Sequence, residues 1–411
     1  MFLQGLVTVI TLTILGVAII GYHPLPTGLE NPIKVQVAMG ILKLLRAVRT
    51  VQEYLGYGSP YQNVKLHFLT PKTDDPPKSA AIGDLKVTRD TIAGVPVIVY
   101  QPKDNSGLYP AIVYFHGGGW VTCSADMYDT LMHEYAVKTG TVIINVDYRL
   151  APEHPFPTPV QDCIDVTRFI LQHGAKYNID VTKVGVAGDS AGGNLAASVA
   201  LKLTREPDLP RLLFQIIHYP AMQAFDLHLP SYIDLNQSVP ILTQDQMAAF
   251  YAYYMGVNRE NIDHFTTVIS ENRHIPADVR KSKLASFVDV KLLPPQYQTP
   301  KNPRPTIHSD YDAQVYAQIK DIVADPLFSP LMAPDLTGLP PAFVQVCEFD
   351  VLRDDGFLYA RRLQDAGVQV KLHFGKGGFH GDIIIYIFVQ LNSAESCLSE
   401  VYSFVKDRLG K

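Results

Sequence analysis

The 411-residue chain has little of several features that mark other classes of protein. It holds four cysteines, and its 35 basic residues are outnumbered by 40 acidic ones, for a formal net charge of −5. No long basic stretch occurs, so nucleic-acid binding is not indicated. No H-E-x-x-H sequence, clustered Cys/His set or internal repeat is present. We therefore predict neither a metal nor an organic cofactor.

Charge is also missing from the beginning of the chain. Met1–Tyr22 contain no Asp, Glu, Lys or Arg, and Leu12–Ile20 are strongly apolar. About 20 such residues can span a bilayer. A cleaved signal peptide and a buried helix are the alternatives, but no basic residue precedes the apolar run and no A-x-A-like site follows it. We predict an uncleaved anchor at residues 1–22. The nearby basic residues, Lys34, Lys43 and Arg46, all follow it, which by the positive-inside rule would leave the remaining chain cytoplasmic.

From residue 84 onward, apolar strand patterns alternate with helical ones. Strands are predicted at Leu85–Asp90, Val95–Gln101, Ala111–Phe115, Thr141–Val146, Lys183–Ala187, Leu212–His218, Ala342–Cys347 and Gln369–Phe374. The first two would form a hairpin around Ala93 and Gly94. Such alternation indicates an α/β fold, with a mainly parallel sheet covered by helices on both faces. Ligand chemistry is then expected at the carboxyl ends of the strands.

Two regions depart from this alternation. Residues 23–80 surround a basic amphipathic stretch, Val35–Tyr54, predicted either to cap the site or to pack on the core without a substrate role. Residues 226–325 show no strand pattern and one clear helix, Gln244–Met255, preceded by a Thr243/Gln246 capping box. We interpret them as an inserted helical lid, a separate domain being the alternative. The division is an anchor (1–22), a cap segment (23–80), a first core part (81–225), the lid (226–325) and a second core part (326–411).

Ser190 lies in a G-x-S-x-G pentapeptide, Gly188-Asp189-Ser190-Ala191-Gly192. It follows the apolar run Val184–Ala187 and precedes a run of small residues through Ser198. A strand–turn–helix of this kind exposes the serine hydroxyl at the strand end. The alternative is a helix N-terminus that is simply rich in small residues. We predict that Ser190 is a nucleophile.

A glycine-rich segment upstream supplies the expected partner of such a serine. His116-Gly117-Gly118-Gly119-Trp120 follows a predicted strand, and consecutive glycines let backbone N–H groups approach a developing oxyanion. A flexible glycine turn is the alternative, and no G-x-G-x-x-G for a dinucleotide is formed. The predicted oxyanion hole consists of the N–H groups of Gly117, Gly118 and Ala191.

Asp350 falls just past the predicted strand that ends at Cys347, where a carboxylate can orient a histidine. Three neighbouring acids compete with it. Asp354 and Asp355 are expected in the first turn of the next helix, where acidic side chains suit the helix dipole. Glu348 is expected still within the strand. We predict that Asp350 is the catalytic acid.

His380 lies in the glycine-rich segment Gly375–Gly381, predicted to be a loop, whereas His373 falls within the preceding strand and is interpreted as structural. His380 is therefore the predicted base. The chain order Ser190, Asp350, His380 is that of α/β-hydrolases and differs from the chymotrypsin and subtilisin orders.

Four segments together carry a family resemblance. They are His116–Trp120, Asp147–Pro157 (DYRLAPEHPFP), Gly188–Gly193 and Asp350–Gly356. The chain resembles the hormone-sensitive lipase family of α/β-hydrolases, and within it the branch of arylacetamide deacetylase and neutral cholesterol ester hydrolase. The hydrophobic N-terminus is part of that similarity, which covers most of residues 81–225 and 326–411.

The resemblance implies an enzyme anchored in the endoplasmic reticulum membrane, with its catalytic domain in the lumen. It also implies a disulfide between a cysteine beside the oxyanion loop and one three residues before the catalytic acid. Cys347 matches the second position, and Cys123 lies two residues beyond the first. Buried free thiols are the alternative. The sequon Asn236-Gln237-Ser238 would be glycosylated only in the lumen.

These features predict a membrane-anchored serine hydrolase of carboxylic esters, with arylacetamides or neutral lipid esters as further substrate classes. Its partner molecule would be a hydrophobic ester or amide. The alternative is a non-catalytic receptor or carrier on the same scaffold. The related gibberellin receptors lack the histidine, so His380 argues against that alternative. After His380 come seven apolar residues, Ile383–Val389, which are either buried or face lipid beside the site.

Overall fold

The computed structural model describes residues 21–54, 75–83, 85–104, 107–239, 241–303 and 311–410. The predicted anchor, residues 1–22, lies outside the described residues except for its last two. Among the helices of the described ranges, none is long and apolar enough to cross a membrane.

In the described part of the chain, eight strands form one sheet. They are β1 Leu85–Ile92, β2 Val95–Pro102, β3 Tyr109–Phe115, β4 Val142–Val146, β5 Ile179–Asp189, β6 Gln215–His218, β7 Ala342–Phe349 and β8 Val370–Phe379. Their order is β1-β2-β4-β3-β5-β6-β7-β8. The β1–β2 and β2–β4 pairs are antiparallel, and all the others are parallel. The predicted α/β-hydrolase fold with a mainly parallel sheet is confirmed.

Helices cover both faces of this sheet. The described α-helices are α1 Pro32–Tyr54, α2 Asp129–Thr139, α3 Thr158–His173, α4 Ala191–Thr204, α5 Pro230–Leu235, α6 Gln244–Tyr254, α7 Ile262–Ser270, α8 Ala313–Ala324, α9 Arg353–Asp365, α10 Asp382–Tyr386 and α11 Asn392–Leu409. Successive strand residues point to opposite faces. Val113 accordingly packs in one core cluster with α3, α4 and α9, whereas Ile112 packs in a second cluster with α2 and α11.

The strand β8 extends further than its sequence suggests. It continues to Phe379 through the glycine-rich segment that was predicted to be a loop, and its pairing with β7 resumes at Phe349 after an irregularity beyond Cys347. The pairing skips Lys376–Gly378, where Gly377 has a positive φ of 68°, so the strand bulges at its glycines before it pairs again at Phe379. His380 therefore directly follows a strand end, which gives it a fixed position.

The region between the two core parts is helical, as expected. None of the described residues in 226–325 belongs to a strand; they form α5 to α8 and several short 3₁₀ turns. The helix α6 begins at Gln244, and Thr243 and Gln246 form both hydrogen bonds of the predicted capping box. The limits of the lid stay a prediction. In the cap segment, α1 buries Val35 and Met39 in the core.

Candidate active site

Ser190 occupies a sharp turn between β5 and α4. Its backbone angles are φ 56° and ψ −120°, a strained conformation for a residue with a Cβ. The Ser190 N–H donates to the carbonyl of His218 at 2.9 Å, which helps to hold the turn. A Cβ on Gly188 or Gly192 would collide with backbone carbonyls, so both flanking glycines are required by close packing. The turn places the hydroxyl at the carboxyl edge of the sheet.

The three predicted catalytic side chains meet at this edge. His380 Nε2 lies 3.0 Å from Ser190 Oγ, and His380 Nδ1 lies 2.9 Å from Asp350 Oδ2. The other carboxylate oxygen of Asp350 accepts the Leu352 N–H at 2.8 Å. Since Nδ1–H can donate to Asp350, Nε2 is left to accept the serine proton. The arrangement can therefore activate a hydroxyl nucleophile.

The two competing aspartates point away from His380. Asp354 and Asp355 lie in the first turn of α9, as predicted. The Asp354 carboxylate pairs with Arg353 at 2.9 Å and accepts the Ser231 N–H at 2.7 Å. The Asp355 carboxylate accepts the Met222 N–H at 2.8 Å. Both therefore tie α9 to the segments beside it.

Glu348 and His373 also have other partners. Glu348 lies within β7, as predicted, and accepts the Gly377 N–H at 2.8 Å. His373 lies within β8 and faces Glu400, with 3.1 Å between Nδ1 and Oε1. In the described ranges no group of three His, Cys, Asp or Glu side chains is arranged to hold a metal ion.

The structure corrects the predicted oxyanion hole at one position. The Gly117 N–H donates to Asp189 Oδ1 at 3.0 Å and to the Tyr128 hydroxyl at 2.9 Å, so it is directed into the protein. Gly118 and Gly119 line the cavity above Ser190. Within the described ranges, the N–H groups of Gly118, Gly119 and Ala191 have no backbone hydrogen-bond acceptor. The donors open to a substrate thus begin one glycine later than predicted.

Asp189 causes this shift, although the sequence predicted no role for it. Its buried carboxylate accepts hydrogen bonds from the hydroxyls of Tyr114 at 3.0 Å and Tyr128 at 2.9 Å, besides the Gly117 N–H. Burial raises the pKa of Asp189 to about 6. Its position inside the pentapeptide, next to Ser190, was the available signal. The two tyrosines are contributed by distant segments and could not be found from spacing.

A cavity of about 780 Å³ leads to Ser190, within the size range of small-molecule sites. Its wall is largely apolar. The predicted lid contributes Ile241, Leu242, Met247 and Phe250, the cap helix α1 contributes Ile33, Val37, Ala38 and Ile41, and the segment after His380 contributes Ile384, Ile385, Phe388 and Val389. Residues of α1 and of the predicted lid therefore both border the site.

The implied Cys123–Cys347 disulfide is absent and is corrected here. All four cysteines, which fall within the described ranges, are buried free thiols. Cys347 Sγ lies 3.4 Å from Gln345 Nε2, inside the sheet, whereas Cys123 Sγ lies 3.8 Å from Thr122 Oγ1 beside the oxyanion loop. The two thiols thus have separate surroundings. Burial raises the pKa of Cys123 to about 12, so this thiol is protonated near neutral pH.

The sequon residue Asn236 caps the end of α5. Its side-chain oxygen accepts the Gln244 N–H at 2.6 Å, and the residue is half-buried. The side chain thus connects α5 to the first residue of α6.

The fold and the site define a class, and comparison with known proteins agrees. Residues 112–285 and 292–383 match a family model described as an alpha/beta hydrolase fold. The chain belongs to this family. The predicted family resemblance is confirmed, and so is the predicted enzyme class, a carboxylic ester hydrolase.

Among curated proteins, the chain is 38% identical to arylacetamide deacetylase of Oryctolagus cuniculus, over 90% of this chain and 93% of that protein. It is 35% identical to neutral cholesterol ester hydrolase 1 of Rattus norvegicus, over 88% and 89% of the two chains. Among solved structures, a thermostable esterase from Pseudomonas putida is similar, with 26% identity, a TM-score of 0.63 and coverage of 93% and 98%.

Proposed function

We propose that this protein is a serine esterase that works through Ser190, His380 and Asp350 and an acyl-enzyme intermediate. One observation carries the proposal: the two ring nitrogens of His380 lie 3.0 Å from Ser190 Oγ and 2.9 Å from Asp350 Oδ2. Each catalytic group follows the end of a different parallel strand, where small loops can position chemistry on a rigid sheet.

The geometry supports a two-step hydrolysis. Ser190 attacks the substrate carbonyl while His380 takes its proton, and Asp350 stabilises the imidazolium that forms. The N–H groups of Gly118, Gly119 and Ala191 bind the oxyanion of the tetrahedral intermediate, each donor contributing about 3 kcal/mol to lowering the barrier. His380 then protonates the leaving group. Water, activated by the same histidine, hydrolyses the acyl-enzyme.

The preferred substrates in this proposal are esters with bulky apolar groups. The cavity wall consists mainly of Ile, Leu, Met, Phe and Val side chains, which favour the binding of hydrocarbon and aromatic groups. The names of the relatives indicate two substrate classes with apolar groups, the amides called arylacetamides and the esters of cholesterol. Both have an acyl carbonyl that Ser190 would attack.

The test compares two histidines, His380, which follows β8, and His373, which lies within β8. His380→Asn should abolish turnover of a small activated ester, whereas His373→Asn should retain it, because His373 contacts Glu400 outside the site. A serine-directed phosphonate should label the unmodified protein, and Ser190→Ala should remove that label. An unmodified protein that binds apolar esters without turnover would instead be a receptor or carrier.

We further propose that residues 1–22 anchor the protein in the endoplasmic reticulum membrane, with the catalytic part in the lumen. The proposal is supported by the absence of charge in this segment and by the sequon at Asn236. Endoglycosidase treatment of protein made in eukaryotic cells should change its mobility, and Asn236→Gln should remove that change. Protease digestion of the catalytic part in sealed microsomes would contradict the proposed orientation.

A further inference from the structure

The helix α1 has an unusual distribution of apolar side chains. A surface helix normally buries one apolar stripe and exposes polar residues. Here Val35 and Met39 are buried, yet a second apolar stripe is exposed at helical spacing, formed by Ile33, Val37, Ile41, Leu44, Val48 and Val51. Ile33 is 79% exposed, and Val51 is 57% exposed. This exposed stripe has no described partner in the protein.

The mouth of the cavity lies at one end of the exposed stripe. Ile33, Val37 and Ile41 belong to the stripe and also line the cavity that reaches Ser190. Phe388 also lines the cavity, and this residue is 74% exposed. The apolar surface therefore continues from the outside of the protein into the substrate cavity. Such continuity is expected where apolar substrate arrives from an apolar phase rather than from water.

The chain before α1 indicates that this apolar phase is a lipid bilayer. Residues 1–22 carry no charge, and their last residues are fixed against α1. Gly21 approaches Gly40 so closely that a Cβ on Gly21 would lie 3.2 Å from the Gly40 Cα, and Lys43 Nζ donates to the Tyr22 carbonyl at 2.6 Å. The apolar segment therefore joins the folded part at the helix that bears the exposed stripe.

The charge of α1 fits the same partner. The sequence of this helix contains four basic residues and one acidic residue. An apolar stripe in a helix rich in Lys and Arg is the usual composition of helices that lie in a membrane interface. A second protein copy would not require this bias in charge.

We propose that the exposed stripe of α1, together with Phe388, rests on the surface of a bilayer, and that ester substrates pass from the lipid into the cavity. The proposal depends on the esterase function proposed above. It assigns Leu44, Val48 and Val51 a role in lipid contact that is separate from the cavity, because none of the three lines it.

Because of this separation, the proposal can be tested with the full chain reconstituted in phosphatidylcholine vesicles. Val48→Asp combined with Val51→Asp should lower hydrolysis of a long-chain ester in those vesicles by roughly 10-fold or more, because charge opposes insertion of the helix into the interface. Hydrolysis of a short water-soluble ester should stay unchanged. The matched control is Leu108→Asp, which alters an exposed apolar residue just before β3. Leu108 lies at the amino end of its strand, whereas Ser190 lies at the carboxyl end of the neighbouring strand β5. This control should affect neither substrate.

A direct measurement distinguishes lipid from a second protein copy. The four native cysteines are buried, so Val48→Cys and Leu108→Cys each provide one accessible thiol for a fluorophore. Spin-labelled lipid should quench the label at position 48 and leave the label at 108 bright. Absence of quenching at 48, or equal loss of both ester activities in the double variant, would refute the lipid-contact surface. Failure of the unmodified protein to hydrolyse either ester would instead refute the esterase function.

Discussion

Asp350 and Asp354 lie four residues apart but serve different groups. Asp350 contacts His380, whereas Asp354 pairs with Arg353 inside the protein. We expect Asp350→Asn to lower kcat by roughly 10⁴-fold, because the histidine loses the partner that sets its tautomer. Asp354→Asn should leave kcat close to normal and lower the free energy of unfolding by about 3 kcal/mol, since a buried arginine loses its counter-ion. Steady-state kinetics measure the effect on kcat, and urea denaturation measures the effect on stability. If Asp354→Asn instead caused the large loss of kcat, Asp354 rather than Asp350 would be the catalytic acid.

Asp189 is expected to act on catalysis through the oxyanion loop. Its carboxylate accepts the Gly117 N–H and two tyrosine hydroxyls, and this holds the next glycines above Ser190. Asp189→Asn replaces one acceptor oxygen by a donor and should lower kcat roughly 10- to 100-fold through misplacement of the loop, with little change in KM. Tyr128→Phe should show a smaller effect of the same kind. Unchanged kcat in Asp189→Asn would exclude this positioning role.

At the scale of the element, the capping box of α6 connects helix stability to the cavity. Thr243 accepts the Gln246 N–H, and the same helix places Met247 and Phe250 in the cavity wall. Thr243→Ala should lower the free energy of unfolding by about 1 kcal/mol. It should also raise KM for bulky apolar esters, because the first turns of the helix lose their fixed position.

The helix α8 provides the control for this experiment. Asp312 caps its N-terminus by accepting the N–H groups of Gln314 and Val315, yet neither Asp312 nor the helix lines the cavity. Asp312→Ala should therefore lower stability by an amount of the same order, about 1 kcal/mol, without a change in KM. If both cap variants changed KM alike, the effect would reflect general loosening rather than the position of α6.

The stability of the whole molecule should depend on pH through its buried acids. Burial raises the pKa of Asp355 to about 8 and that of Asp382 to about 7, from an ordinary 3.8. Above about pH 4 the unfolded chain releases protons that the folded protein retains, so stability from these groups falls as pH rises toward 8. Above that range both states are ionised, and this dependence ends.

Asp382→Asn isolates one of these contributions, because the amide cannot ionise. We compare the free energy of unfolding of the variant with that of the unmodified protein. The difference, variant minus unmodified, should be more positive at pH 8 than at pH 5 by about 1–3 kcal/mol, which means that the variant is relatively more stable at pH 8. Denaturant titrations at the two pH values measure this difference. A relative stability that is the same at both values, or that moves in the opposite direction, would show that Asp382 ionises near its ordinary pKa in the folded protein.

The sequence by itself determined the scaffold and the three residues proposed for catalysis. Strand periodicity reflects burial on both faces of the sheet, and turn and cap residues act over a few neighbours. The existence of the strands, the strand–turn–helix at Ser190 and the start of α6 therefore follow from local pattern. Asp350 and His380 could be chosen because the carboxyl ends of parallel strands meet at one edge.

Only the tertiary structure decided which hydrogen-bonding groups and thiols already have a partner inside the protein. The choice between Gly117 and Gly119 depends on a hydrogen bond to Asp189, which lies 72 residues further along the chain, and no local pattern records it. The extension of β8 to Phe379 likewise depends on the pairing of Phe379 with Phe349 of β7. The state of Cys123 and Cys347 depends on where two distant segments direct their side chains. Each of these outcomes is set by contacts between residues far apart in sequence, where packing overrides local preference.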